Sequence, residues 1–116
     1  MSHADTIGAY YDAVDAGDVD ALLDLFTDDT TYLRPGYEPI VGRAAMEHFY
    51  RDVRVIESGR HSLDALLVDG DRAACHGTFT GTLKDGSSAR EGFADFFELR
   101  DGRIAVRRTY FDRAAV

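Results

Sequence analysis

The sequence predicts an α+β domain in which three short amphipathic helices precede a four-stranded antiparallel meander, with the sheet curled into a cone around them. Three observations predict it. Apolar residues recur at the i, i+3, i+4, i+7 spacing of a helix face in three stretches of the first half. Asp-Gly pairs stand at Asp69-Gly70, Asp85-Gly86 and Asp101-Gly102, sixteen residues apart and each between strand-like runs. A chain of 116 residues that is 45% hydrophobic is long and apolar enough for one domain, 1–116, with its own core.

The first helix is marked by Ile7, Tyr10, Tyr11 and Val14. Gly17 suits the left-handed position that ends it, and Asp18 can cap the next. The second is marked by Val19, Leu22, Leu23 and Phe26. Pro35, Gly36, Pro39 and Gly42 then break the pattern, leaving a short strand at 30–33 and an irregular loop. Met46, Phe49, Tyr50 and Val53 mark the third helix, with Glu47 and Arg51 as an i,i+4 ion pair on its outer side. The meander strands fall at about 60–68, 72–84, 88–100 and 103–112, joined by Asp-Gly turns of type I′, which need positive φ at both central residues. Strands this long must twist, and Gly77, Gly81 and Gly92 are bend or bulge points.

Composition narrows the partners. A net charge of −8 repels nucleic acid. No apolar run is long enough to span a membrane, and no charged-then-apolar leader precedes the first helix, so neither membrane nor secretion is expected. The lone Cys75 has no partner for an internal disulfide, which fits a reducing cytoplasm. Between Ala74 and His76 on a strand it reads as a small buried thiol rather than half of a catalytic Cys-His pair, since neighbouring strand residues point to opposite faces.

The pattern Tyr10-x₆-Gly17-Asp18, Leu25-Phe26-x-Asp28-Asp29-x-Thr31, Pro35, Gly42-x₆-Phe49-Tyr50 and Phe93-Ala94-Asp95-x-Phe97 runs over nearly the whole chain. It resembles the ketosteroid isomerases and, equally, the broader SnoaL-like branch of the nuclear-transport-factor-like superfamily. The resemblance implies a cystatin-like α+β cone with the three helices on the concave face of the sheet, enclosing a small-molecule cavity, and a homodimer. In ketosteroid isomerases one Asp shuttles a proton while a Tyr and a protonated Asp stabilise the dienolate oxygen. The resemblance places that Tyr at Tyr10, its supporting Tyr at Tyr50 and the protonated Asp at Asp95. The shuttling Asp, which precedes a Pro, falls on Arg34 before Pro35. A guanidinium cannot accept a proton near neutral pH, so the ordinary isomerase reaction is not expected.

With Arg34 at the base position, the expected state of Asp95 is a carboxylate paired with Arg34. Related epoxide hydrolases use an Arg that bridges two acids, but a second acid has no counterpart here, because Glu98 lies on the opposite strand face from Asp95. Alternation sets the remaining candidates. His76, Thr78, Thr80 and Thr82 share one face of their strand, while Cys75, Gly77, Phe79, Gly81 and Leu83 share the other. Matching the Asp95 face to the cavity places His76, the three Thr residues, Phe97, Arg107 and Phe111 inside or at its mouth, with His61 facing the same way. Phe79 and Phe96 then fall on the outer face, where a second subunit would cover them.

The expected function is a small-molecule pocket protein using acid–base chemistry for isomerisation, cyclisation or water addition on a carbonyl-bearing or cyclic compound. Asp95, Arg34, Tyr10 and His76 are its catalytic candidates. Tyr50, His61, Thr78, Thr80, Phe97, Arg107 and Phe111 are its ligand-binding candidates. No cofactor is implied, and no metal either: His61 and His76 lie on separate strands with no third ligand. The competing reading is a non-catalytic binding or dimerisation module in which Asp95–Arg34 is a buried pair, Tyr10 is core and His76 is a structural histidine. A roomy cavity exposing Asp95 and Arg34 favours the first, whereas one filled by Tyr and Phe side chains favours the second.

Overall fold

A computed structural model describes residues 1–112. Helix α1 (His3–Ala16) begins with reciprocal caps: Ser2 Oγ accepts the Asp5 N–H at 3.1 Å, and the Asp5 carboxylate accepts the Ser2 N–H at 3.0 Å. It ends where the sequence places its stop, with Gly17 at φ +70° and the Asp18 N–H closing on the Ala13 carbonyl at 2.9 Å. Asp18 then caps α2 (Val19–Leu23) by accepting the Ala21 N–H at 3.1 Å. Ile7, Tyr10, Tyr11 and Val14 are all buried, as their spacing requires. No helix is long and apolar enough to cross a membrane.

Two helical expectations are corrected by competing geometry. Helix α2 stops at Leu23, and Phe26 opens strand β1 (Phe26–Leu33) instead of ending the helix. Sheet pairing decides this: the Leu25 carbonyl accepts the Ile104 N–H at 2.8 Å, and Phe26 is buried opposite Ile104. After the two-residue strand β2 (Ile40–Val41), the third stretch starts as α3 (Arg43–His48) and widens into a π-helical turn, Phe49–Val53. The Arg54 N–H closes it on the Phe49 carbonyl at 2.8 Å. The wider turn rotates the residues at its end, so Met46 and Phe49 are buried but Val53 is 38% exposed, and Arg54 lies on the cavity side.

Strands β3 (Ile56–Asp69), β4 (Arg72–Leu83), β5 (Ser88–Arg100) and β6 (Arg103–Phe111) complete a curled six-stranded sheet of order β2-β1-β6-β5-β4-β3. The meander is antiparallel, but β1 runs parallel to β6, so the whole sheet is mixed. The apolar face of α1 lies on the inner face of the sheet, with Tyr11 5.9 Å from Phe93 and Tyr10 6.4 Å from Phe97 between ring centroids.

The turns set the register, and they are not three copies of one type. Asp101-Gly102 alone has positive φ at both residues, 54° and 76°. At the β3–β4 turn Asp69 pairs with Arg72, so the central residues are Gly70 and Asp71, and only Gly70 has positive φ. At the β4–β5 turn the Leu83 N–H meets the Ser87 carbonyl at 2.8 Å, closing a three-residue loop of Lys84, Asp85 and Gly86. Asp85 braces it by accepting the Ser87 N–H at 2.9 Å and hydroxyl at 2.6 Å.

That third residue reverses the expected faces of β4. A two-residue Asp85-Gly86 turn would pair Lys84 with Ser87 and, counted outward, His76 with Asp95; the observed partner of Asp95 is Cys75. Ala73, Cys75, Gly77 and Phe79 therefore face the core, and His76, Thr78, Thr80 and Thr82 lie on the outer face. Phe79, expected outside, is 3% exposed in the core, while Phe96 and Tyr110 form a half-exposed outer pair with centroids 5.9 Å apart. A second shift, between Glu98 and Leu99, has the opposite benefit. Continuing the pairing of the Asp101-Gly102 turn would put Arg108 opposite Asp95, whereas the bulge puts Thr109 there and turns Arg107 inward.

The β3–β4 pair also shifts register between Leu63 and Ala65, opposite Gly77. A Cβ at Gly77 would stand 2.0 Å from the Ser62 carbonyl oxygen and 2.9 Å from its carbon, main-chain atoms with nowhere to go. Gly77→Ala is expected to lower the unfolding free energy by about 1–3 kcal/mol in urea denaturation. A loss within about 0.5 kcal/mol, the range of an ordinary surface substitution, would contradict this close approach.

Candidate functional site

Asp95 sits mid-strand in β5 and is fully buried. A buried carboxylate costs several kcal/mol unless its oxygens are satisfied. Here they are: Arg107 Nη2 donates to Oδ2 at 2.9 Å, the Tyr11 hydroxyl donates to the same oxygen, and the Thr109 hydroxyl donates to Oδ1. Cys75 is buried beside the Tyr11 hydroxyl at 3.3 Å, and burial pushes its thiol pKa up.

The expected Arg34–Asp95 pair does not form, because Arg34 follows β1 and β6 stands between β1 and β5. The two are linked only through hydroxyls. Arg34 Nη1 donates to Tyr32 at 3.2 Å, and the Tyr32 and Thr109 oxygens are 3.1 Å apart. Thr109 gives its one hydrogen to Asp95, so Tyr32 must be the donor to Thr109.

Arg107 is the hinge of the arrangement. Its Nη1 donates to the Tyr10 hydroxyl at 2.5 Å and to the Tyr50 hydroxyl at 3.2 Å, and its guanidinium lies over the Tyr10 and Tyr32 rings at 4.7 and 4.5 Å. Burial works against its charge, but Asp95 and the tyrosine oxygens outweigh that and raise its pKa above the ordinary arginine value. Tyr10 and Tyr50 are hydrogen-bonded to each other, and burial raises both pKa values, keeping them protonated. One of their two hydroxyl hydrogens lies between them. The other has no acceptor among the described residues.

Tyr10, Tyr50, Arg107, Arg34, Arg54 and His61 line an inner cavity closed by Phe79, Phe93 and Phe111. Its volume is about 20 Å³, room for about one water. Beside it opens a vestibule of about 520 Å³ between the end of α1, the π-helical turn and β3, and Tyr50 and Arg54 belong to the walls of both. Asp95 and Phe97 lie behind the cavity wall, in the core. His76 is on the outer surface, 3.6 Å from Asp64, and Thr78 and Thr80 share that face.

For His61 strand alternation supplied only a direction, and the structure adds what holds the ring. Asp15, in the last turn of α1, takes the His61 main-chain N–H at 2.9 Å and lies 2.6 Å from Nδ1. A carboxylate accepts, so Nδ1 carries the hydrogen and Nε2 keeps its lone pair. The ring packs against Tyr11, Phe79 and Phe93 at 4.8–5.3 Å, and burial lowers its pKa from 6.5 against the opposing pull of Asp15. The sequence carried one unused signal for Asp15: an acid in the last turn of a helix opposes the helix dipole and needs a compensating partner. Tyr11 was indistinguishable from Tyr10 on the same apolar face, and nothing marked Arg54, whose position depends on the π-helical turn. No three metal-ligating side chains cluster among the described residues.

A curled mixed sheet closed by N-terminal helices over a polar inner cavity defines the cone-shaped, nuclear-transport-factor-like class. The chain belongs to the SnoaL-like domain family, whose model matches residues 7–107. Similar crystal structures include an NTF2-like protein of unknown function from Burkholderia pseudomallei, at 24% identity over 97% of this chain and 92% of that one, with a TM-score of 0.87. A candidate polyketide cyclase from Pseudomonas putida is 26% identical over 97% and 92%, with a TM-score of 0.81. An LEH-like epoxide hydrolase from M. tuberculosis is 22% identical over 95% and 82%, with a TM-score of 0.83. No curated protein is a significant match.

These contacts generate two stability predictions. Arg107→Met leaves the Asp95 charge buried without its cation and is expected to cost about 3–5 kcal/mol in urea unfolding, part of which returns in the Arg107→Met/Asp95→Asn double variant. For His61 the folded pKa lies below the unfolded value of 6.5, so the unfolded chain binds the proton more tightly. Its contribution is full above pH 6.5 and is lost as pH falls through the interval below. Unfolding free energy measured against pH should decline there, and His61→Asn should flatten the decline.

Proposed function

We propose that this SnoaL-like domain is an acid–base enzyme that moves a proton on a small carbonyl-bearing or cyclic compound, with His61 Nε2 as the base. The observation that carries this reading is His61, paired with Asp15, in the same cavity wall as the Arg107-backed Tyr10–Tyr50 donors. A neutral imidazole oriented through Nδ1 offers Nε2 as a proton acceptor near neutral pH. The spare tyrosine hydrogen and the guanidinium behind it supply fixed donors for an oxygen that gains charge as the adjacent carbon loses its proton. Returning that proton to another carbon completes an isomerisation, and attack by the enolate carbon on an internal carbonyl gives a cyclisation.

This reading moves the base from Asp95 to His61, because the Asp95 oxygens are committed to Tyr11, Thr109 and Arg107. Arg34, at the position of the isomerase base, serves as a cationic wall. Water addition in the epoxide-hydrolase manner has weaker support, since Arg107 bonds to Asp95 and two tyrosines and bridges no second acid among the described residues. One observation favours a non-catalytic binding module instead: the inner cavity of about 20 Å³ holds no substrate unless its wall moves.

Deuterium exchange at the α-carbon of cyclic ketones such as 1-tetralone, followed by NMR in D₂O, separates the two. The wild-type chain should accelerate exchange, and His61→Asn should reduce the acceleration by about 10²-fold or more. Undiminished exchange in His61→Asn would rule out the assigned base, and turnover of a Δ5-3-ketosteroid at ordinary isomerase rates would overturn the reading of Arg34.

A further inference from the structure

We infer that the substrate of this cavity is an anion, carrying a carboxylate or the enolate of an acidic carbonyl compound, and that Arg54 is the residue that grips it. The inference rests on the same cavity being the binding site. Among the described residues its wall holds three guanidinium groups, those of Arg34, Arg54 and Arg107, and no carboxylate. Only Arg107 has a carboxylate partner, Asp95; Arg34 and Arg54 make no ion pair among the described residues. The whole chain has 21 acidic residues against 13 Lys and Arg, so this interior reverses the sign of the molecule around it.

The donors are also underused. Nε of Arg34, Arg54 and Arg107 is buried without a hydrogen-bond partner in each case, a cost that an acceptor in the cavity would relieve. Arg34 is seated among the rings of Tyr32, Tyr37, Phe49 and Phe111 at 5.3–5.9 Å, which favours its charge but accepts few of its hydrogens. Among the described residues Arg54 lies over the Tyr50 ring alone, at 5.6 Å. A carboxylate, or the two oxygens of a 1,3-dicarbonyl enolate, matches the planar fork of a guanidinium. A neutral His61 beside them adds a base without adding charge.

Arg54 also solves the problem of size. The inner cavity admits about one water, whereas the vestibule of about 520 Å³ falls within the usual ligand range of about 300–1,000 Å³. Arg54 and Tyr50 share the partition with Val14, Ile56 and Phe79. The vestibule wall carries Asp15 and Glu57 but also Arg51 and Lys84 beside Arg54; an anion arriving there draws the Arg54 head group toward itself, and the two spaces become one.

Isothermal titration of the full chain with benzoate, dimedone and the neutral benzamide tests this without any variant. At least one anion is expected to bind about tenfold or more tighter than benzamide, consistent with charge-assisted hydrogen bonds. A gain for benzoate alone identifies a carboxylate and a gain for dimedone alone an enolate. Arg54→Gln should remove most of the gain and Arg54→Lys should keep part of it, with thermal melting confirming that both fold. Equal affinity for benzamide and the anions, no binding of either anion, or an unchanged gain in Arg54→Gln would overturn the inference. Anion preference together with full exchange activity in His61→Asn would sink the acid–base reading and leave this one standing; His61-dependent exchange without anion preference would do the reverse.

Discussion

The buried ion pair between Asp95 and Arg107 is the contact on which the site depends. Asp95 is fully buried and Arg107 is 4% exposed, so neither charge is tolerable without the other. The pair brings two further elements with it, α1 and the π-helical turn. Tyr11 from α1 caps one carboxylate oxygen, Thr109 from β6 caps the other, and the second arm of Arg107 fixes Tyr10 of α1 to Tyr50 of the π-helical turn. The proposed catalytic donors are therefore held by an ion pair whose acid, Asp95, lies behind the cavity wall.

In the proposed chemistry, support and proton transfer are divided between different groups. In it the buried Asp95–Arg107 pair serves as support, and proton transfer falls to an imidazole whose pKa burial lowers. His61 is fixed at both its main-chain nitrogen and Nδ1 by one carboxylate, Asp15, so the angle of its ring is set by α1. The same helix supplies Tyr10 and Tyr11. Its position is in turn secured by the Ser2 and Gly17 caps, which fix where the helix starts and stops.

Much of this was legible because it depends on local rules. The caps of α1, the buried set Ile7, Tyr10, Tyr11 and Val14, and the inward turn of Asp95 all come from spacing and from the cost of a lone acid in an apolar run. What failed depended on counting across turns. Asp-Gly fits a two-residue turn and also the last two positions of a three-residue loop, and the choice at Lys84, Asp85 and Gly86 moved Cys75 in and His76 out. The π-helical turn exchanged Val53 for Arg54, whereas Arg107 was placed inward by alternation alone, without the bulge at Glu98 and Leu99 being foreseen. Local sequence carries little information about any of these one-residue shifts, yet each decides which side chain reaches the cavity. The parallel docking of β1 on β6, which separates Arg34 from Asp95, is likewise a long-range outcome.

The proposed chemistry turns on His61 being the neutral base, with Nδ1 given to Asp15 and Nε2 facing its substrate. Long-range ¹H–¹⁵N correlation NMR of the protein at pH 7 reads the protonation of each ring nitrogen directly. His61 is expected to show a protonated Nδ1 and an unprotonated Nε2. A ring protonated at Nε2, alone or together with Nδ1, would contradict that assignment.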